Sequence, residues 1–265
     1  MSSLLVPIYG VSWWDEAYTL HRKCVNGSRP AVTRATDATR RTTAATSRSP
    51  LTRERILAAA MALADERGIE AVSMRGLGRE LGVEAMSLYN HVAGKDDLIT
   101  GLVDLVAGEY PLPAHGTDWK TALRRLYVVA HEVLLGHPWA CALMMSSKAV
   151  GPATMRYMDT VLGTLRAAGF SVELTHLAFH ALDIHLLGYT MQVANFPYER
   201  GELESLATEF LQTLPPGHPH LAEHVRHHLD GFTAGDDAEF AFGLDLVLDG
   251  IERLRDAGAD SITPR

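Results

Sequence analysis

"ELGVEAMSLYNHV", residues 80–92, decides the fold. Leu88 and Val92 stand four apart, so on a helix they share one side. Met86, Tyr89 and Asn90 share another, with Ser87 and His91 beside them. A solvated helix face normally carries Lys, Glu and Arg. This one carries short, polar-tipped groups able to hydrogen-bond. Just upstream, "VSMRGLGRELG" predicts a short helix opening at Ser73 with Leu77 and Leu81 four apart, and Gly82 permits a sharp turn into the next helix. Two short helices joined by a Gly-containing turn match a helix-turn-helix. Asn90 can read a base edge with two hydrogen bonds, and Met86 or Ala85 can touch a thymine methyl. Tyr89 and His91 can donate to phosphate oxygens. Lys95 opens the following helix, where its charge and the N-terminal amides favour an anion. The competing reading is an ordinary helical pair in an all-α core, and spacing alone does not separate the two.

Outward from this stretch the chain reads as helices. "LTRERILAAAMALADERG" has Thr52 as an N-cap, an inward stripe of Ile56, Leu57, Ala60, Leu63 and Ala64, and Gly68 as a stop. "GKDDLITGLVDLVAGEY" predicts a fourth helix with Leu98, Leu102 and Leu105/Val106 inward. Further helices are expected over Trp119–Leu135, Pro138–Ser147, Pro152–Ala168, Glu173–Asn195, 197–214, 215–231 and Ala238–Ala257. No stretch alternates with period two, so the fold class is all-α. In the last helix Phe240, Leu244, Val247, Leu248, Ile251 and Leu254 make a broad apolar face, and Asp245, Asp249, Glu252 and Asp256 a wet stripe. Gly243 and Gly250, seven apart, would admit a second helix closely. That face suits either an ordinary core or packing on two sides, own core and partner.

Composition sets the bounds. The chain has 265 residues, 47% hydrophobic and 21% charged, ordinary for a soluble protein of one or two domains. No apolar run approaches the ~18 residues that span a bilayer. The opening "SLLVPIYGVSWW" lacks a basic leader, is broken by Pro7 and Gly10, and runs into Asp15 and Glu16, so it is not read as a secretory signal. Cys24 and Cys141 are the only cysteines, which excludes a disulfide framework and makes a reduced cytoplasm the expected location. The net charge of −8 is uneven: residues 1–50 hold seven basic against three acidic groups, 51–99 six against eight, and 100–265 eleven against twenty-one. Overall acidity does not exclude nucleic acid, because only the contacting face needs to be basic. Residues 1–50 are expected to be a disordered basic arm or the product of a start codon set too far upstream. As an arm, Arg40, Arg41 and Arg48 would reach the minor groove or phosphates.

Two histidine sets raise other chemistry. His220, His224 and His227 or His228 share a helical face and invite a metal, but no carboxylate or cysteine completes a recognisable set, so no metal is assigned. His176, His180 and Asp183 interrupt an apolar helix at i, i+4, i+7. They either pair structurally or line a pocket. An enzyme using His180 and Asp183 would lack a nucleophile, a phosphate loop or a metal set, so none is expected.

The run from Thr52 to Leu98 resembles the DNA-binding domain of the TetR family of transcriptional repressors. It carries "GIEAVSMRGL", "LGV", "LYNHV" and "KDDL" in register. The resemblance implies phosphate contacts at Tyr89, His91 and Lys95. It places Ser73 and Arg75 near the backbone or a base edge, and Ala85, Met86, Ser87 and Asn90 on base-facing positions. Arg53 completes the expected DNA-contacting set. From about residue 110 to 257 a weaker resemblance, with Gly169–Phe170 entering a long helix that holds "LLGYTMQ", is to the C-terminal domain of the tetracycline-repressor type. It implies an all-helical homodimer with an inducer pocket in each subunit. "ALMMSSKAVGP" offers no histidine for a tetracycline–magnesium pocket, so that ligand is not carried over. The expected organisation is a helix-turn-helix domain over 51–98 and a ligand-binding and dimerisation domain over 99–265. Together they would bind a palindromic double-stranded operator until a small-molecule effector releases it; a ligand-dependent activator of the same fold is the alternative. No cofactor is expected. The candidate effector lining is Trp139, Met144, Met145, Tyr157, Met158, Phe179, His180, Asp183 and Tyr189, with core packing as the alternative for each. A hydrophobic small molecule with one polar or cationic group, anchored by Asp183 or His180, fits that list.

Overall fold

The computed structural model describes residues 50–114, 116–146, 149–196, 200–229 and 237–258. The expected arm, apart from Pro50, lies outside them. Among the described residues all regular structure is helical. The helices are α1 (Arg53–Arg67), α2 (Met74–Leu81), α3 (Ala85–Leu88), α4 (Lys95–Gly108), α5 (Trp119–Gly136), α6 (Ala140–Ser146), α7 (Pro152–Ala167), α8 (Val172–Ala194), α9 (Arg200–Thr213), α10 (Pro219–Leu229) and α11 (Asp237–Asp256), with a 3-10 turn at Ile69–Ala71.

Side-chain caps set the helix starts. Thr52 accepts a hydrogen bond from Arg55 N (3.3 Å), Ser73 from Gly76 N (3.1 Å), Asp118 from Thr121 N (2.9 Å) and Ser171 from Leu174 N (3.1 Å). The expected inward stripe of α1 is buried in full. It packs on α2 and α4. Gly82 ends α2 in the left-handed region at φ 67°. Gly78 lets α2 and α3 approach: a Cβ there would lie 2.9 Å from the Val83 carbonyl and 3.2 Å from Ala85 N.

Two expectations are corrected here. The helix expected over 83–92 is α-helical only at Ala85–Leu88. The chain then tightens, with Tyr89 N bonding Met86 O (3.3 Å) and His91 N bonding Leu88 O (2.9 Å). Val92 N still bonds Leu88 O (3.0 Å), so Leu88 and Val92 are the buried pair that was expected, and Ala93 N then reaches the Asp97 carboxylate at 2.8 Å. Leu105, expected inward on α4, is 41% exposed. The neighbours of α4 change along its length: Gly101 sits against Leu57 of α1, whereas the later turns pack on α6 and α7. The inward direction therefore rotates from Leu98 and Leu102 towards Val103, Val106 and Ala107.

The α4–α7 contact has a polar fastening. Asp104 of α4 accepts from Thr154 N (2.8 Å) and Thr154 Oγ1 (3.1 Å), so α4 caps the first turn of α7. Further along, α8 packs against α5, α6, α7 and α11, and α11 also lies on α5. Phe240, Leu244 and Leu248 are fully buried in that core, while Leu254 is 39% exposed. The acidic stripe reaches solvent, as expected, and is also ion-paired. Arg124 pairs with Asp245 (2.7 Å), and Lys120 with Asp249 (2.7 Å) and with Glu252. Gly243 admits a neighbour from its own chain, His185 of α8, whose Nε2 lies 2.9 Å from Phe240 O. Nothing approaches Gly250 within 4 Å. No single described helix is long and apolar enough to cross a membrane.

Candidate nucleic-acid interface and effector cavity

The face read from residues 80–92 is open to solvent. Met86 is 75% exposed and Tyr89 48%, while Leu88 between them is fully buried. Asn90 and Lys95 are exposed, and Ala85, Ser87 and His91 half-buried. Ser73 and Arg75 are exposed at the start of α2. The Ser73 oxygen already caps α2, which leaves its O–H to donate outward. The Arg53 guanidinium is engaged within the protein, behind this group. Its Nη1 and Nη2 donate to the two Asp97 oxygens at 2.7 Å each, and Nη1 also reaches His91 O at 3.4 Å. The Arg53 guanidinium holds the Asp97 carboxyl below the usual carboxylate range. In this geometry Arg53 fixes the turn that carries Tyr89, Asn90 and His91.

A cavity of about 280 Å³ opens among α4, α6, α7 and α8. Six of the nine expected residues line it: Met144, Tyr157, Met158, Phe179, His180 and Asp183. Three do not. Trp139 donates its Nε1 to Asp65 Oδ1 of α1 at 2.7 Å, Met145 points to solvent at 61% exposure, and Tyr189 bonds Glu239 (3.0 Å) beside Phe240. Sequence reasoning missed Val103, Ala107, Tyr110, Ala149, Val150, Thr154, Leu186 and Leu187 on the wall, and Tyr127 just behind it.

The polar centre is Asp183. Its Oδ1 accepts from Tyr157 Oη (2.5 Å) and Tyr127 Oη (3.0 Å), and the two hydroxyls lie 3.1 Å apart. Tyr110 packs edge-on to Tyr157 at 5.3 Å and points its hydroxyl at Met144 Sδ (3.5 Å). Burial pushes the Asp183 carboxyl above its ordinary range, opposed by the two hydroxyls that favour its ionised form. Burial likewise raises the three phenols, which stay neutral donors. Asp183 thus resolves as both structurally paired and cavity-lining. His180 lines the cavity without a hydrogen bond to Asp183, and His176 packs on His180 at 4.5 Å. Among the described residues no group of three His, Cys, Asp or Glu side chains is placed to hold a metal; the His228 side chain lies outside that set.

A solvent-facing helix-turn-helix, joined through one helix to a partly open cavity, has the architecture of a DNA-binding regulator with a candidate ligand site. Residues 56–102 match the family model of bacterial regulatory proteins, tetR family, and residues 112–255 that of the tetracyclin repressor-like C-terminal domain. The chain belongs to the tetR family of transcriptional regulators, with the family's DNA-binding helix-turn-helix and ligand-binding C-terminal domain. An HTH-type transcriptional regulator of Saccharopolyspora erythraea is 34% identical over 65% of this chain and 74% of its own length. The HTH-type transcriptional repressor DrrR1 of Streptomyces coeruleorubidus is 32% identical over 77% of this chain and 78% of its own. The crystal structure of the Streptomyces coelicolor TetR family protein ActR, in complex with (S)-DNPA, superposes with a TM-score of 0.65 at 25% identity, covering 77% of this chain and 98% of ActR. Both of these curated relatives are transcriptional regulators.

Proposed function

We propose that the chain is a cytoplasmic homodimeric repressor that binds a palindromic operator and releases it when a hydrophobic small molecule enters the α4–α8 cavity. The observation that carries this reading is the double role of α4. Lys95 opens it on the DNA-facing side, and Val103 and Ala107 on its second half wall the cavity. A ligand can change DNA affinity only by preferring one geometry over another, and a helix shared by both sites converts such a preference into movement of the reading face. The DNA contacts are Ser73, Arg75, Ala85, Met86, Ser87, Tyr89, Asn90, His91 and Lys95, with Arg53 as their positioning residue.

The dimer reading rests on a second face. Leu177 (45% exposed) and Ile184 (70%) lie two turns apart on α8, and Phe242 (67%) and Leu246 (56%) one turn apart on α11. Because α8 packs on α11, these four side chains belong to neighbouring helices whose copies can close a four-helix contact. Two-fold symmetry of the protein then dictates two-fold symmetry of the operator. The small molecule held by ActR supports an effector role for the cavity. The test is retention of DNA flanking the chain's own gene, measured by fluorescence anisotropy with and without candidate ligands. Sequence-specific retention that ligand abolishes is expected. Retention that rises with ligand assigns an activator, and no sequence preference overturns the regulator reading.

A further inference from the structure

We propose that the cavity selects a lipophilic organic cation, an ammonium or quaternary nitrogen on an aromatic or aliphatic frame, with Asp183 as its counter-ion. The inference rests on the effector reading above and names the chemistry of the effector.

The arrangement of Asp183 comes first. Both tyrosyl hydroxyls are spent on one oxygen, Oδ1. Oδ2 receives no hydrogen bond from any described residue. Asp183 is half-buried and Oδ2 is not sealed from solvent, so this oxygen faces the cavity, where a carboxylate partly withdrawn from water gains from a counter-charge or further donors. Here it has half a set, and the described wall contains no Lys or Arg. Of the basic side chains on α5, Lys120 and Arg124 are committed to α11, and Arg125 is exposed and not on the cavity wall. His180 is the one base on the described wall; it makes no hydrogen bond to Asp183 and acts on it only by a through-space attraction smaller than the effect of burial. A positive charge brought by the ligand would complete the pair.

The surroundings fit the same guest. Tyr110, Tyr157 and Phe179 line the cavity as a connected set of rings, with centroids 5.3 Å apart for the first pair and 6.5 Å for the second. Ring faces attract a desolvated cation, and the thioethers of Met144 and Met158 add polarisable surface. Leu186, Leu187, Val103 and Val150 take the hydrophobic frame. An anionic guest would face the Asp183 charge at low dielectric. A neutral guest would leave Oδ2 unpaired, or would require Asp183 to be protonated and act as a donor.

The experiment compares three probes of one shape on the full-length protein by calorimetry and by operator release. They are trimethyl(naphthalen-1-ylmethyl)ammonium, its neutral carbon isostere 1-neopentylnaphthalene, and the anion 1-naphthylacetate. The cation is expected to bind at least about tenfold tighter than the isostere. Asp183→Asn is expected to erase that margin while leaving the isostere's affinity unchanged. If Asp183→Asn fails to fold, the wild-type ranking decides alone, with Tyr157→Phe as the second variant, expected to weaken the cation selectively. Isostere or anion binding as tightly as the cation overturns cation selection, and operator release by either one leaves the effector reading standing. Selective cation binding that leaves the operator bound supports the ligand class and removes the effector role. Failure of all three to bind overturns both.

Discussion

Trp139 Nε1 donates to Asp65 Oδ1 across 2.7 Å, and His137 Nδ1 touches the same oxygen at the same distance. Asp65 closes α1, and His137 and Trp139 form the corner between α5 and α6, so one carboxylate joins the helix-turn-helix region to the helix that brings Met144 to the cavity. Asp65→Ala is expected to cost about 1–2 kcal/mol of stability. It should also narrow the ligand-induced change in operator affinity, while each affinity measured alone moves only a few-fold. Anisotropy titrations with and without ligand read this directly. An unchanged coupling factor would show that the corner is only structural.

Contacts to phosphate and to base edges should separate by salt. Tyr89→Ala and Lys95→Ala are expected to weaken binding to every DNA sequence and to flatten the dependence of affinity on salt. Asn90→Ala should change which sequence is preferred, by about 1–3 kcal/mol for a lost two-bond base contact. Full affinity of the Lys95 and Tyr89 variants at physiological salt would remove the docking geometry.

The Arg53–Asp97 fork predicts an acid-sensitive reading face. The folded carboxyl titrates below its unfolded counterpart, so the pair stabilises the fold above the ordinary carboxylate range and loses that contribution as pH falls through the lowered folded value. Both side chains are about a third exposed, at 38% and 31%, which limits the pair to about 0.5–1 kcal/mol. Melting curves against pH should show a shallower acid decline in Asp97→Asn than in wild type.

Asp183 predicts the opposite slope. Its folded carboxyl titrates above the unfolded one, so ionisation costs more in the native state. Stability is fully present below the ordinary carboxylate range and declines as pH rises through the raised folded value. Asp183→Asn removes this decline. The wild type should therefore lose melting temperature relative to the variant as pH rises above the ordinary carboxylate range. Parallel pH curves would contradict a native carboxyl held above its ordinary range.

Ile184→Glu, or Phe242→Glu, should dissociate the dimer without unfolding the subunit, because both side chains lie outside the core. Light scattering is expected to report the monomer mass, with operator affinity falling because only one half-site is held. A dimer that survives both substitutions would place the interface elsewhere.

What the sequence revealed was what depends on near neighbours. Thr52, Ser73 and Gly82 act within one turn, so the helix boundaries they set were legible. Ile56 and Leu57 face the same way whatever they pack on, but the direction Leu105 faces depends on α6 and α7 taking over from α1. Of the tyrosines at the cavity, Tyr157 was nominated, but Tyr110 and Tyr127 were hidden for the same reason. Tyr127 meets Asp183 across 56 residues, and no local pattern marks which aromatic residue of an apolar helix will reach a carboxylate on another. Trp139 misled because an aromatic side chain in an apolar stretch reads the same whether it lines a cavity or reaches a carboxylate on α1.

Between residues 85 and 91 only Leu88 is buried. The protein thus separates the part of itself that must stay the same to fold from the part that chooses a sequence. Substituting Met86, Tyr89 or Asn90 alters no core packing, so its effect on folding should stay within about 0.5 kcal/mol. A duplicated copy can thereby acquire a new target site one residue at a time without passing through an unfolded intermediate.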